Sequence, residues 1–312
     1  MKKGIKFIIY LSIVSCFIVI LQNLGSIDFL WNDVYREAYH SFLSGTLGPN
    51  KIVLGMTSLF SFSLCLGNLI SNKYKINRIL LIIGILLNLY IIILSGSRTT
   101  YIGLIVLLLY FALRSPIYFI VMSTIISFLL TFLLSFSPDL SESLENTLNS
   151  RIFNKTDTFE DNDSNVGDLY SDLGSGRDQL TIGNALYILD NPQIIPFGAG
   201  FMNRFNKAPG LSAHNMYLQI IKETGLVGFF LYFGWLISYL LIDFKNNTGY
   251  SLALKGLVYA MLVTLFFGEH LYIYRPLFGL LGLFLIISAI FVASLHKVDI
   301  DTLKQRDELQ KS

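Results

Sequence analysis

Leu226-Val227-Gly228-Phe229-Phe230-Leu231-Tyr232-Phe233-Gly234-Trp235-Leu236-Ile237-Ser238-Tyr239-Leu240-Leu241-Ile242 carries no charged side chain, although Lys222-Glu223 precede it and Asp243 follows. A helix needs about 20 mostly apolar residues to cross the hydrocarbon core of a bilayer, so an uncharged run bounded by charges predicts a membrane span. Further mostly apolar runs lie on either side: Phe7 to Leu24, Ile52 to Ile70, Ile79 to Leu94, Tyr101 to Leu113, Ile117 to Phe136, Leu252 to Gly268 and Leu277 to Leu295. The chain reads as an all-α integral membrane protein with about eight transmembrane helices.

Composition agrees. AVILMFWYC make up 53% of the 312 residues and DEKR only 14%, against roughly 25% charged in an average soluble protein. A cytosolic globular enzyme is excluded, because so apolar a chain has no interior large enough for its surplus. Net charge is +2, from 23 basic and 21 acidic residues, which gives no field for nucleic acid. Cys16 and Cys65 both fall in apolar runs, leaving neither a disulfide framework nor a zinc site. Lys2, Lys3 and Lys6 ahead of an apolar stretch resemble a secretory signal, and Ile13-Val14-Ser15-Cys16 a lipoprotein cleavage box. The run stays apolar through Phe17-Ile18-Val19-Ile20-Leu21, however, so it is expected to remain as an uncleaved first span.

Basic residues near span ends set the orientation. Lys2, Lys3, Lys6, Lys73, Lys75, Arg78, Arg114, Lys245, Lys255, Lys297, Lys304, Arg306 and Lys311 fall on one side, and only Arg36, Lys51, Arg98 and Arg275 in the short loops of the other. Both termini are therefore expected in the cytoplasm of a multi-pass cytoplasmic (inner) membrane protein. Four regions follow: five spans over 1–136, a large extracytoplasmic loop over 137–223, three spans over 224–296, and a cytoplasmic tail over 297–312. The loop holds 12 acidic and 6 basic residues. A loop of that length should contain helices of its own. Ile182, Ala185, Leu186 and Leu189 recur at helical spacing after Ser175-Gly176-Arg177-Asp178, with Asn191-Pro192 as the stop. His214, Tyr217, Leu218 and Ile221 repeat that spacing after Ser212, with Gly225 as stop or hinge. Asp157 to Ser175 is acidic and rich in Gly, Ser and Asn, the composition of a solvated, mobile segment. Its Asp157, Glu160, Asp161 and Asp163 match no calcium loop, so no metal site is expected.

No predicted span has a charge near its centre, whereas ion-coupled transporters place charges at membrane depth. Polar chemistry gathers instead at the external side, at Arg36, Arg98, Arg177, His214, Glu269, His270 and Arg275. There, His214-Asn215 is followed nine residues later by Gly225-x-x-Gly228, just before a span. Ser95-Gly96-Ser97-Arg98 stands at the outer end of another span, Ser175-Gly176-Arg177 opens a helix, and Pro196-Phe197-Gly198-Ala199-Gly200 lies ahead of the histidine. With these passages, and more weakly with Gly45-Thr46-Leu47-Gly48-Pro49-Asn50, the chain from about Arg36 to Arg275 resembles the O-antigen ligase and polymerase family (Wzy/WaaL type). The resemblance implies transfer of a glycan from an undecaprenyl diphosphate carrier to a glycan acceptor on the outer membrane face, without cofactor or metal. It also implies pathway partners, a flippase and a chain-length regulator.

The residues make chemical sense of that reaction. Arginine binds phosphate bidentately and keeps its charge, which suits Arg98, Arg177 and Arg275 to a departing diphosphate. Interfacial arginines also snorkel and orient helices, a role that fits Arg36 and Arg275 by position alone. An unperturbed imidazole titrates near 6.5, so neutral His214 can accept a proton from an acceptor hydroxyl. Placed in the first turn of a predicted helix, it would be kept neutral by the macrodipole. Asn215, Arg36, Glu223, Gly225 and Gly228 are the supporting set. Glu223 lies half a helical revolution from His214 and is assigned to packing or capping. The expected function is polymerisation of lipid-linked repeat units of a capsule, exopolysaccharide or O-antigen. A ligase moving finished glycan to a lipid or protein acceptor would use the same residues. A glycan flippase would need charged or broken spans, and an inactive scaffold would leave the external Arg and His residues unused.

Overall fold

The computed structural model describes residues 2–27, 50–72, 74–120, 123–124, 127, 177–201, 213–244, 247–271 and 279–293. Every regular element among them is helical. The helices are α1 (Lys2–Asn23), α2 (Lys51–Ser71), α3 (Arg78–Leu94), α4 (Arg98–Arg114), α5 (Arg177–Asp190), α6 (Met216–Leu241), α7 (Thr248–Thr264) and α8 (Leu280–Ala293). A 3-10 turn, Pro192–Ile194, follows α5, and residues 116–120 begin another helix after α4. The chain is a multi-pass membrane protein: α1, α2 and α6 are each long and apolar enough to span a bilayer, while α3 and α8 are shorter apolar helices. The fifth predicted span lies largely outside the described residues.

Helix α2 is central and packs extensively on α3 and α7, with α4 closing against α7, α1 lying on α3, and α6 on α7. Lipid offers apolar side chains as good an environment as a neighbouring helix does, so association depends on close approach and on polar pairs. Both are present. Gly67 faces Ala253 and Gly249 where α2 meets α7, and Gly256 faces Leu107 and Tyr110 where α7 meets α4. Ser63 Oγ donates to Ala253 O at 2.9 Å and Tyr250 Oη to Asn68 Oδ1 at 2.7 Å. Ser12 Oγ donates to Asn88 Oδ1 at 3.0 Å, which ties α1 to α3.

Two span readings need correction. The apolar run Leu252 to Gly268 overshoots α7, which starts at Thr248 and ends at Thr264. Leu265 to Gly268 are apolar but turn away, leaving Phe266 and Phe267 exposed at the helix end. The earlier start puts Lys255 about two turns inside the helix rather than at its boundary. It is half-buried, and the backward tilt of helical side chains lets its ammonium reach toward the α7 N-terminus. The span Tyr101 to Leu113 was read too short, because Ser97 caps α4 and starts it at Arg98.

Candidate active site

The segment around His214 is held from three directions. Asn215 caps α6, its Oδ1 accepting from Tyr217 N at 2.9 Å and Leu218 N at 3.3 Å. Ala213 O accepts from Thr181 Oγ1 of α5 at 2.9 Å, and Ala213 N donates to Gln219 Oε1 at 3.3 Å. Met216 N donates at 2.9 Å to the carbonyl of Leu265, the C-cap of α7. Between these anchors His214 takes φ of 50°, a left-handed conformation uncommon for a residue with a side chain. Such conformations persist where the surroundings over-determine them, and they concentrate at functional sites. The imidazole is half-buried. His214 therefore precedes the helix instead of lying in its first turn, because Asn215 has the side-chain oxygen that satisfies the free N–H groups.

Helix α6 breaks at Gly225, where φ is 67° and ψ is −168°. The break is where the loop Pro196-Phe197-Gly198-Ala199-Gly200 crosses. Ala199 N donates to Lys222 O at 2.8 Å, Gly200 N to Glu223 O at 3.0 Å, Leu226 N to Ile195 O at 2.8 Å and Val227 N to Pro196 O at 3.3 Å. A side chain on Gly198 would overlap the Glu223 carbonyl, and one on Gly225 the Pro196 carbonyl. Two motifs nearly 30 residues apart are thus halves of one main-chain clasp. Gly228 makes room for the Thr224 side chain, whose hydroxyl donates to Ile220 O at 2.8 Å.

Arg98 opens α4 after a tight turn. Ser95 Oγ accepts from Ser97 N at 3.3 Å, Ser97 Oγ accepts from Thr100 Oγ1 at 3.0 Å, and Gly96 supplies φ of 59°. Gly55 of α2 fits against this turn, and Gly103, further along α4, touches Thr264, the last residue of α7. Leu265, next in the chain, receives Met216 N. The start of α4, bearing Arg98, and the start of α6, preceded by His214, therefore stand at the same end of the bundle. His270 is buried there too, its Nε2 3.1 Å from Thr264 Oγ1, and burial pushes its pKa down to about 3.

Residues 83–233 match the sequence model of the O-antigen ligase family. Over this segment the chain is similar to the O-antigen ligase/polymerase family. No curated protein and no solved structure matches the chain. The family segment runs from α3 into α6 and holds Arg98, Arg177, His214, Asn215, Glu223, Gly225 and Gly228.

Of the candidates, Arg98, His214, Asn215, Glu223, Gly225 and Gly228 fall around this end of the bundle, and Arg177 is the first residue of α5. Arg36 and Arg275 lie outside the described residues, as does the acidic run from Asp157 to Asp163. Glu223 is buried and accepts from Gln219 Nε2 at 2.6 Å, while Gln219 Oε1 receives Ala213 N. The carboxylate therefore reaches the His214 segment through Gln219, a relay that the helical-wheel argument did not foresee. Lys222 was also missed: it is buried, its Nζ donating to Asn184 Oδ1 of α5 at 2.6 Å. A signal for the relay existed, since Asn215, Gln219 and Glu223 repeat at i, i+4 and i+8.

Proposed function

We propose that the chain is a glycosyltransferase that joins undecaprenyl-diphosphate-linked repeat units of a surface polysaccharide on the outer face of the cytoplasmic membrane. In this reading both termini are cytoplasmic and 137–223 is external. The observation that carries it is the strained His214, fixed at the same end of the bundle as Arg98 inside a segment of the O-antigen ligase family. A lipid diphosphate is its own leaving group, so no nucleotide is needed outside the cell. The acceptor hydroxyl oxygen attacks the anomeric carbon while the bond from that carbon to the diphosphate oxygen breaks. The hydroxyl proton passes to the neutral imidazole of His214, and the electron pair leaves with the diphosphate, whose charge Arg98, Arg177 and Arg275 offset. Asn215 holds the histidine segment in register, and Glu223, Gly225 and Gly228 hold the segment behind it. Flippase and chain-length regulator would be the pathway partners.

His214→Ala, at unchanged protein level and membrane insertion, is expected to abolish surface polymer and leave single repeat units on the lipid carrier. Polymer of normal length in that variant would remove His214 from the role of base. The ligase reading uses the same residues, and a strain lacking the protein separates the two. Accumulated single units mark a polymerase, and accumulated long chains mark a ligase.

A further inference from the structure

Helix α5 wears its polarity inside out. Asn184 is fully buried and bonded to Lys222, Thr181 donates to Ala213 O, and Ile188 is buried on the same side. On the opposite face Ile182, Leu186 and Leu189, at i, i+4 and i+7, are 57%, 53% and 69% exposed. A helix whose outer face met water would carry polar residues there. Aliphatic side chains left in water forgo the gain of burial, so an apolar neighbour is called for.

The surrounding surface says which neighbour. Leu226 N and Val227 N are bonded to the carbonyls of Ile195 and Pro196, which sets Phe197, 77% exposed, level with the start of the outward apolar face of α6. That face continues through the strongly exposed Phe230 and Leu231 of a helix long and apolar enough to span the bilayer, so it meets lipid. Phe197 extends it past the break at Gly225, and α5 is tied to the same helix through Asn184 and Lys222.

We propose that α5 is an interfacial helix whose Ile182, Leu186 and Leu189, together with Phe197, lie in the acyl boundary of the adjacent leaflet, with bilayer lipid as the partner. Because Thr181 holds Ala213, seating α5 in the leaflet also sets the height of His214 relative to the headgroups. The proposal does not depend on which glycan is transferred.

A nitroxide on Leu186→Cys tests it in proteoliposomes of phosphatidylethanolamine and phosphatidylglycerol free of glycolipid. Both native cysteines are buried, so labelling is selective. Collisions with oxygen, which concentrates in the acyl region, are expected to exceed those with a water-soluble nickel chelate severalfold. Leu189→Cys gives an independent reading should the first variant fold poorly. A label open to the chelate would place the stripe in water, and a label shielded from both reagents would place it under protein. Either result overturns the proposal.

Discussion

At His214 a single dihedral angle carries much of the functional argument. His214 has a φ of 50°, and five hydrogen bonds from its neighbours to α5, α6 and α7 hold it there. Preorganisation of this kind is what a general base needs, since the geometry is set before substrate arrives. Arg98 has a corresponding test. If its planar fork grips a phosphate, Arg98→Lys is expected to slow transfer from a lipid-diphosphate donor in proteoliposomes by about 10²-fold, nearly as much as Arg98→Ala. Full activity with Lys would return Arg98 to helix orientation. His270 offers a pH signature. Its Nδ1 has no hydrogen-bond partner among the described residues, and burial holds the ring neutral down to about pH 3, whereas the unfolded chain takes the proton near 6.5. Between those values the unfolded state binds the extra proton, so stability falls as the pH drops below about 6.5, and the group has no effect above it. The thermal midpoint of the purified protein should therefore drop more between pH 7.5 and pH 5 than that of His270→Gln. Equal drops would mean that the folded ring accepts the proton.

At the scale of elements, α6 is two helices joined through a glycine. The φ and ψ of Gly225 lie in a region open almost only to glycine, and the Pro196 carbonyl fills the space a side chain would need. Gly225→Ala is expected to cost about 2 kcal/mol or more, read as a lower unfolding midpoint in detergent. Gly234→Ala serves as the control, because its position in the same helix is open and alanine there is expected to be neutral or mildly stabilising. Hydrophobic spacing placed α5 and marked its stop at Asn191-Pro192, and the glycine signal placed the break in α6. Spacing left undecided which way the α5 stripe points. A 3.6-residue period reports that a helix has two faces, and in a membrane protein the apolar one can meet either protein or lipid. The clasp was equally out of reach, since main-chain bonds leave no trace in side-chain patterning. Its two glycine motifs were visible only as separate passages.

For the molecule as a whole, apolar runs located the helices α1 to α4 and α6 to α8, of which α1, α2 and α6 have the length and apolarity a bilayer demands. Their ends were less legible where apolar residues continue beyond the helix, as in Leu265 to Gly268, or where polar ones begin it, as in Thr248 to Ser251. The shared location of Arg98 and His214 could be inferred from charge bias alone, but the contacts that bring their helices together, Gly103 against Thr264 and Met216 against Leu265, join residues far apart in the chain. The clasp has one further effect. With Gly200 fastened to Glu223 and Ala213 fastened to Thr181 and Gln219, both positions are anchored independently of each other. Doubling the length of a closed loop costs only about 0.6 kcal/mol of closure entropy. A change in the number of residues between positions 200 and 213 is therefore expected to leave the histidine where it is.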